Sequence, residues 1–313
     1  MRPRCSLMLL ALVALAAAPV RADDPTSIDL APKWKKGDTV RYEMLGTQVR
    51  ERDGKEVRNV STRTLVVVEV VSAGPDGSVL RWTQGTTTFE DPDQDNEPLA
   101  KSINMILKNN DLDLELDEDG DYTGVRNWKA LRTSGTKVRD EVLSQMSKAG
   151  TPKATIEMAR LATDKMLATK ETIEATFTRQ PMLILKPFGK SYELGTPFEY
   201  EDELPNPLGG DPFPAKGVCV VKFDKDKGIA HISFKQTPDP KDVTRYVQKF
   251  VEDLAKKTGV PAPDELPEVK VNDATDYVVD VTAGWITSVK HTRVFTIDKV
   301  TQTETTTLTR REK

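Results

Sequence analysis

Two short stretches carry the residue types of a serine acyl-transfer enzyme. Ser134-Gly135-Thr136-Lys137 sets a hydroxyl three residues before an amine, and Lys257-Thr258-Gly259 matches the strand motif that accompanies it in β-lactamases and transpeptidases. In that chemistry the Lys-Thr-Gly segment is a strand lining the site. Here it ends an amphipathic helical pattern, where lysine and glycine are ordinary C-terminal residues. The remaining element, Ser-x-Asn, occurs only as Ser102-Ile103-Asn104, ahead of both motifs instead of between them. This order excludes the reaction.

Other candidate chemistries fail on composition. Glu115, Asp117, Asp119, Gly120 and Asp121 occupy positions 1, 3, 5, 6 and 7 of a calcium loop, but position 12, which should be a bidentate Glu, is Arg126. A second acidic stretch, with Asp91, Asp93 and Asp95, has no Gly for the sharp bend and reads as a solvated connector. Two histidines, His231 and His291, without paired-ligand spacing cannot supply a tetrahedral zinc site, and both are expected on strand surfaces. Cys219, inside "GVCVVKF", has no neighbouring base to lower its pKa and is expected to pack as a small hydrophobe. Gly-x-Ser-x-Gly elbows, phosphate-binding loops and dinucleotide fingerprints are missing, so no metal, cofactor or catalytic residue is assigned. Paired carboxylates could cleave glycosides. With 49 acidic residues, however, proximity somewhere is guaranteed and points nowhere in particular.

The sequence begins "MRPRCSLMLLALVALAAAPVRADD". Two arginines, a short apolar run and small residues at Val20 and Ala22 are the three parts of a secretory signal peptide. The run is too short to span a bilayer, which takes about 20 apolar residues. Export with cleavage after Ala22 is expected, to the periplasm or the exterior. No later segment reads as a membrane span, so the chain is not expected to be an integral membrane protein. Losing Arg2, Arg4 and Arg21 leaves 42 of the 45 basic residues against 49 acidic ones. A mild acidic excess without basic runs argues against nucleic acid as a partner. A single remaining thiol forms no internal disulfide, so the core must stabilise the fold.

The elements that would position a site are mostly strands. "GDTVRYE" (37–43) is echoed by "GTPFEYE" (195–201). The first copy opens a meander of three strand-like runs, then comes a helical face with Leu99, Ile103, Ile106 and Leu107, then an acidic hairpin turning at Asp119-Gly120. The second copy leads through the same order to a helix over 240–258, with Val243, Tyr246, Val247, Phe250, Val251 and Leu254 on one face, and a closing hairpin at Gly284. Leu80, Trp82 and Gln84 line up with Ile232, Phe234 and Gln236. Residues 127–180 differ: two amphipathic helices, with stripes through Trp128, Leu131, Val138, Val142 and Met146 and through Ile156, Ala159, Ala162, Met166, Ile173 and Phe177, are separated at Gly150-Thr151-Pro152. The Thr-rich tail is expected to add a strand at a sheet edge.

The predicted organisation is a signal peptide (1–22), a meander–helix–hairpin unit (23–126), a helical insert (127–180) and a second such unit (181–313), the units sharing one domain. The fold class is α+β, a curved antiparallel half-barrel-like sheet with internal duplication and helices over its concave side. In outline this resembles the open half-barrels of periplasmic lipoprotein carriers. Gly37, Asp38 and Tyr42 also match the Gly-Asp-x-x-x-Tyr strand that opens secreted bacterial β-rich families of unassigned function, which imply no catalytic residues. The leading expectation is a non-enzymatic exported protein that binds a lipid, another apolar molecule or an envelope protein on the concave face. Its candidate contacts are Val66, Val68, Leu80, Trp82, Ile232, Phe234, Val247 and Phe250. The alternatives are a pocketless scaffold acting by its edges and a hydrolase built from scattered carboxylates.

Overall fold

The computed structural model describes residues 25–91, 101, 104, 108, 110–204, 213–259, 261 and 266–312. The expected signal peptide, Asp93 and Asp95, and the apolar face of the first helix (Leu99, Ile103, Ile106 and Leu107) lie outside them, as does the Leu254 side chain.

Alternation of apolar and polar residues builds long strands. In the first half these are β2 (Thr39–Arg52), β3 (Lys55–Gly74), β4 (Gly77–Phe89), β5 (Leu112–Leu116) and β6 (Tyr122–Val125). In the second half they are β8 (Phe198–Leu204), β9 (Phe213–Asp224), β10 (Ile229–Pro238), β11 (Val269–Asp280), β12 (Trp285–Ile297) and β13 (Val300–Arg311). All eleven form one open, curved, antiparallel sheet in the order β6-β5-β4-β3-β2-β13-β12-β11-β10-β9-β8. A separate ribbon pairs β1 (Ser27–Leu30) with β7 (Lys190–Glu193) and carries Ile28, Leu30 and Tyr192 into the core.

Helices α1 (Trp128–Lys148), α2 (Lys153–Met166), α3 (Lys170–Phe177) and the single turn α4 (Met182–Leu185) connect the halves; α5 (Pro240–Thr258) lies between β10 and β11. Asp239 caps α5 by accepting from Lys241 N at 2.8 Å, and Gly259 ends it in the left-handed conformation (φ +71°). α1 packs on α2 and α3, α2 packs on α5, and α4 and α5 meet the strands. Gly135 makes the helix junction close: a Cβ there would lie 2.7 Å from Leu167 and 3.2 Å from Phe177.

The sequence echo is a repeat of register. In the first half Val40, Val68, Trp82 and Leu112 stand side by side across β2–β5. In the second, Phe198, Cys219, Phe234 and Thr275 do so across β8–β11. One level away, Tyr42–Val66–Gln84 answers to Tyr200–Gly217–Gln236. Gly37 N and Gly195 N each donate over 2.8 Å, to the carbonyls of Val70 and Val221, from the same place ahead of the first strand. Both halves therefore share connectivity and strand register.

Two expectations are corrected. The Thr-rich tail is β13, and it occupies the middle of the sheet, paired with β12 on one side and β2 on the other. Its Leu308 fills the gap between Met44 and Val289, and a β-branched strand without proline can donate a full ladder on both sides. The edges are β6 and β8. Second, only His231 is exposed; His291 is buried, because it follows the inward-facing Val289 by two residues.

One continuous core joins the halves. It contains Val40, Tyr42, Met44, Val66, Val68, Val70, Leu80, Trp82, Leu114, Ile232, Phe234, Tyr277, Val289 and Leu308 from the covered face of the sheet, with Leu131, Ile173, Leu183, Ile184, Leu185 and Phe188 above them. Tyr42 is wholly buried and its hydroxyl donates to Ile286 O at 3.0 Å. Trp34 stacks between Phe188 and Trp285 and donates to Gly284 O at 2.7 Å.

Candidate functional site

The excluded motifs are structural. Ser134 sits within α1 and its hydroxyl bonds the Asn110 side chain at 2.5 Å, while Lys257 and Gly259 end α5. The Asp117 carboxylate accepts the turn amides of Asp119 and Asp121 at 3.1 and 2.9 Å, and Arg126 pairs with Glu115 at 3.0 Å. That stretch is a hairpin turn. Among the described residues no three His, Cys, Asp or Glu side chains are grouped to hold a metal. Burial raises the Cys219 thiol to about 11, which removes it as a nucleophile at neutral pH.

Six of the eight expected contacts are packed core. Val66, Val68 and Leu80 are 0% exposed, Trp82 3%, Ile232 2% and Phe234 5%. Val247 and Phe250, on α5, are half-buried. The expected grouping thus divides into a filled wall and a helix face that is only partly covered.

Below the apolar core the covered face turns polar. Gln48, Glu304, Arg293, Asp273, Gln236, Gly217 and Tyr200 lie on one level across seven strands, from β2 to β8. Arg293 chelates Asp273 through Nε at 2.7 Å and Nη2 at 2.5 Å, and His291 Nε2 approaches the same carboxylate at 3.3 Å. Burial alone would raise the Asp273 pKa. The bonds from His291 and Arg293 outweigh it and hold the carboxyl well below the usual range. Glu304 is likewise kept low against its burial by Arg179, which donates to it at 2.7 Å, and by Gln302 and Gln48. These acids are locked as ions in fixed pairs, the opposite of the raised, proton-carrying carboxyl that general acid catalysis requires.

At the β8–β11 end the level meets an aromatic cage. Tyr192, Tyr200 and Tyr277 all present edges or tilted faces to Phe234, with centroids 6.4, 6.1 and 5.8 Å away. The Tyr200 ring lies over Gly217, where a Cβ would come within 2.2 Å of it. Lys186, the residue after α4, reaches in from above: its ammonium stands 5.1 Å from the Phe234 centroid and donates to Gln236 Oε1 at 3.2 Å. Gln236 in turn donates to Asp202 Oδ2 at 2.8 Å. Burial lowers the Lys186 pKa, with Asp202 opposing. Lys186 is held inside because Leu183, Ile184, Leu185 and Phe188 pin the chain on both sides of it. Tyr192 donates to Pro187 O at 3.0 Å, but the buried hydroxyls of Tyr200 and Tyr277 have no protein partner.

One level further out, a cavity of about 670 Å³ opens between β8, β9, the end of β10 and the start of α5, with Asp202, Ala215, Pro238 and Pro240 in its wall. A second hollow of about 400 Å³ lies on the outer face, among Val220, His231, Ser233 and Val278. Sequence reasoning singled out Phe234 and the Gln236 echo, put His291 on a surface, and missed Lys186, Asp273 and Arg293. A signal for Lys186 was present: it is the one charge inside "PMLILKPFG".

No family model matches this chain, and no curated protein matches it. Among solved structures it is similar to a lipovitellin chain described for its lipid–protein interactions, with 9% identity and a TM-score of 0.43. The likeness covers 90% of this chain and 26% of the lipovitellin chain, so this chain spans about a quarter of that protein's length.

Proposed function

We propose that this is an exported, non-enzymatic protein that binds an apolar molecule between its helical layer and the covered face of its sheet. One observation carries the reading: the apolar stripes of the helices are covered only in part. Of the 21 residues of α1 only Leu131 is buried, and α2 buries none. Val138, Val142, Met146, Ile156, Ala159, Ala162 and Met166 are only partly buried, as are Val247 and Phe250 on α5, while the large apolar side chains that stand exposed, Val57, Leu65, Phe198 and Val218, are on strands. A helix that only closes a core hides its stripe; one that also receives a ligand keeps part of it open. The hollow between β8, β9 and the start of α5 has the volume of a small-molecule site, about 300–1,000 Å³, and its wall carries the carboxylates of Glu201, Asp202, Glu203, Asp239 and Asp242. Locked ion pairs and a raised thiol favour binding over catalysis. No helix among the described residues is long and apolar enough to cross a membrane.

The test is native mass spectrometry of the purified protein, followed by titration with alkyl chains of increasing length. Each buried methylene contributes about 0.8 kcal/mol, so two more should tighten binding by up to about fifteenfold. Co-purifying lipid and that dependence support the reading. Ligand-free protein that binds no alkyl chain overturns it and favours a scaffold acting through its open edge, where Phe198 of β8 is 49% exposed.

A further inference from the structure

The two ends of the sheet are finished differently. At one, β6 is only four residues long and α3 closes it: the Val125 amide donates to Glu174 Oε1 at 2.7 Å, and a Cβ on Gly124 would lie 2.9 Å from Lys170 Nζ. At the other, β8 pairs with β9 in unbroken register from Phe198 to Leu204, and among the described residues nothing pairs with its far side. The register shows which backbone groups are left over. Glu203 stands opposite Pro214, which has no N–H and whose carbonyl accepts from Asp239 N, on the β10 side, at 3.3 Å. That position is therefore a non-hydrogen-bonded pair, and by alternation so are Glu201–Lys216 and Glu199–Val218. The N–H and C=O groups of Glu199, Glu201 and Glu203 thus point away from β9. The Asp202 carboxylate takes the Glu203 amide at 2.9 Å; the other outward groups have no protein partner among the described residues. A regular, unbulged strand with a bare flank is a template for another strand.

We propose that the free flank of β8 takes up one further strand, an extended segment of a partner protein in which Lys or Arg alternates with apolar residues. The incoming residues that bond to the backbone of Glu199, Glu201 and Glu203 also set their side chains beside those exposed carboxylates, so the bonded positions are the basic ones. The residues between them face the covered side, where Phe198 is 49% exposed and stacks on Tyr200 with centroids 5.8 Å apart. Lys216 stands opposite Glu201 but closes no ion pair with it, and among the described residues none of the three carboxylates has a cationic partner. A second copy is the poorer occupant: β8 against β8, antiparallel about Glu201, sets Glu199 against Glu203 and Glu201 against its own kind. The surface does not depend on the apolar site, since it uses only the outward flank of the edge strand.

The probe is a capped peptide, acetyl-Lys-Val-Lys-Val-Lys-Val-Lys-amide, compared with the same peptide carrying Glu for Lys and with two versions N-methylated at the lysines or at the valines. Binding to the purified protein is read by fluorescence anisotropy and by hydrogen exchange at the amides of Glu199 and Glu201. The Lys peptide should bind and the Glu peptide should bind about tenfold or more weaker. Methylation at the lysines, whose amides face β8, should cost about tenfold, and methylation at the valines, whose amides face away, less than about twofold. Exchange at Glu199 and Glu201 should slow about tenfold at saturation. Glu201→Pro, tolerated because that N–H makes no bond to β9, should lose about tenfold in affinity, and Glu201→Gln about threefold. If Glu201→Pro does not fold, the two methylated peptides decide on the wild-type chain. Failure of the Lys peptide to bind, equal binding of the Glu peptide, or equal binding of both methylated peptides overturns the proposal. So do Glu199 and Glu201 amides already slow in the free protein, which would mean that the chain covers its own edge, and a dimer in sedimentation that Glu201→Pro abolishes, which would mean a second copy. None of these outcomes bears on the apolar ligand, which the alkyl-chain titration tests separately.

Discussion

Replacing Asp273 by Asn should destabilise the protein at neutral pH, and the penalty should shrink in acid. Asp273 is 8% exposed and accepts two bonds from Arg293 and one from His291. The amide keeps the shape but removes the charge that both partners face. Breaking one side of a buried pair costs about 3–5 kcal/mol; because the Arg293 side chain keeps 30% exposure, about 2–3 kcal/mol is expected at pH 7. The carboxyl's folded pKa lies below its ordinary value of 3.8, so its contribution is complete above that value and is lost as pH falls towards the folded one. At pH 3 the unfolded chain has taken up most of that proton while the folded one has not, which removes about 1 kcal/mol of the wild-type advantage. Urea denaturation of both proteins at pH 7, 5, 4 and 3 measures the gap, and carrying both in a His291→Gln background removes the imidazole that contacts the same carboxylate. A gap constant from pH 7 to pH 3, or below about 0.5 kcal/mol throughout, would refute the account of this ion pair.

Two further outcomes follow from packing. Gly217→Ala would set a methyl 2.2 Å from the Tyr200 ring and force it off β9, at a cost of about 1–3 kcal/mol. Tyr200→Ala in the same chain should recover most of that loss, and a melting temperature unchanged by the single substitution would show that the ring does not lie there. Cys219, 1% exposed with its thiol raised to about 11, should resist iodoacetamide for hours in native buffer and react at once in urea. Stoichiometric labelling of the folded protein would contradict its burial.

Strands and their inward faces were readable wherever apolar residues alternated with polar ones. "YEMLG" and "HISFKQ" show which side chains point inward, and the equivalence of Trp82 with Phe234 is visible as spacing alone. The tail resisted because threonine sits equally well on either face and beside either neighbour. Only the pairing of Leu308 with Met44 and Val289 fixes it centrally. The polar level escaped for a related reason. Asp273, Arg293 and Glu304 look like solvent-facing residues one at a time, and they are covered only because they meet one another across the adjacent strands β11, β12 and β13. Lys186 follows from no periodicity, since a four-residue turn is too short to have one.

The central position of β13 constrains how the molecule is made. Residues 300–311 pair with residues 41–52, so the seam of the sheet joins segments separated by almost the whole chain. Until residue 311 is available, the β2–β6 and β8–β12 ladders each present a long unsatisfied flank to the surroundings, open to mispairing or capture by a chaperone. Closing the sheet therefore waits on residues 300–311, which act as the clasp that turns two half-sheets into one.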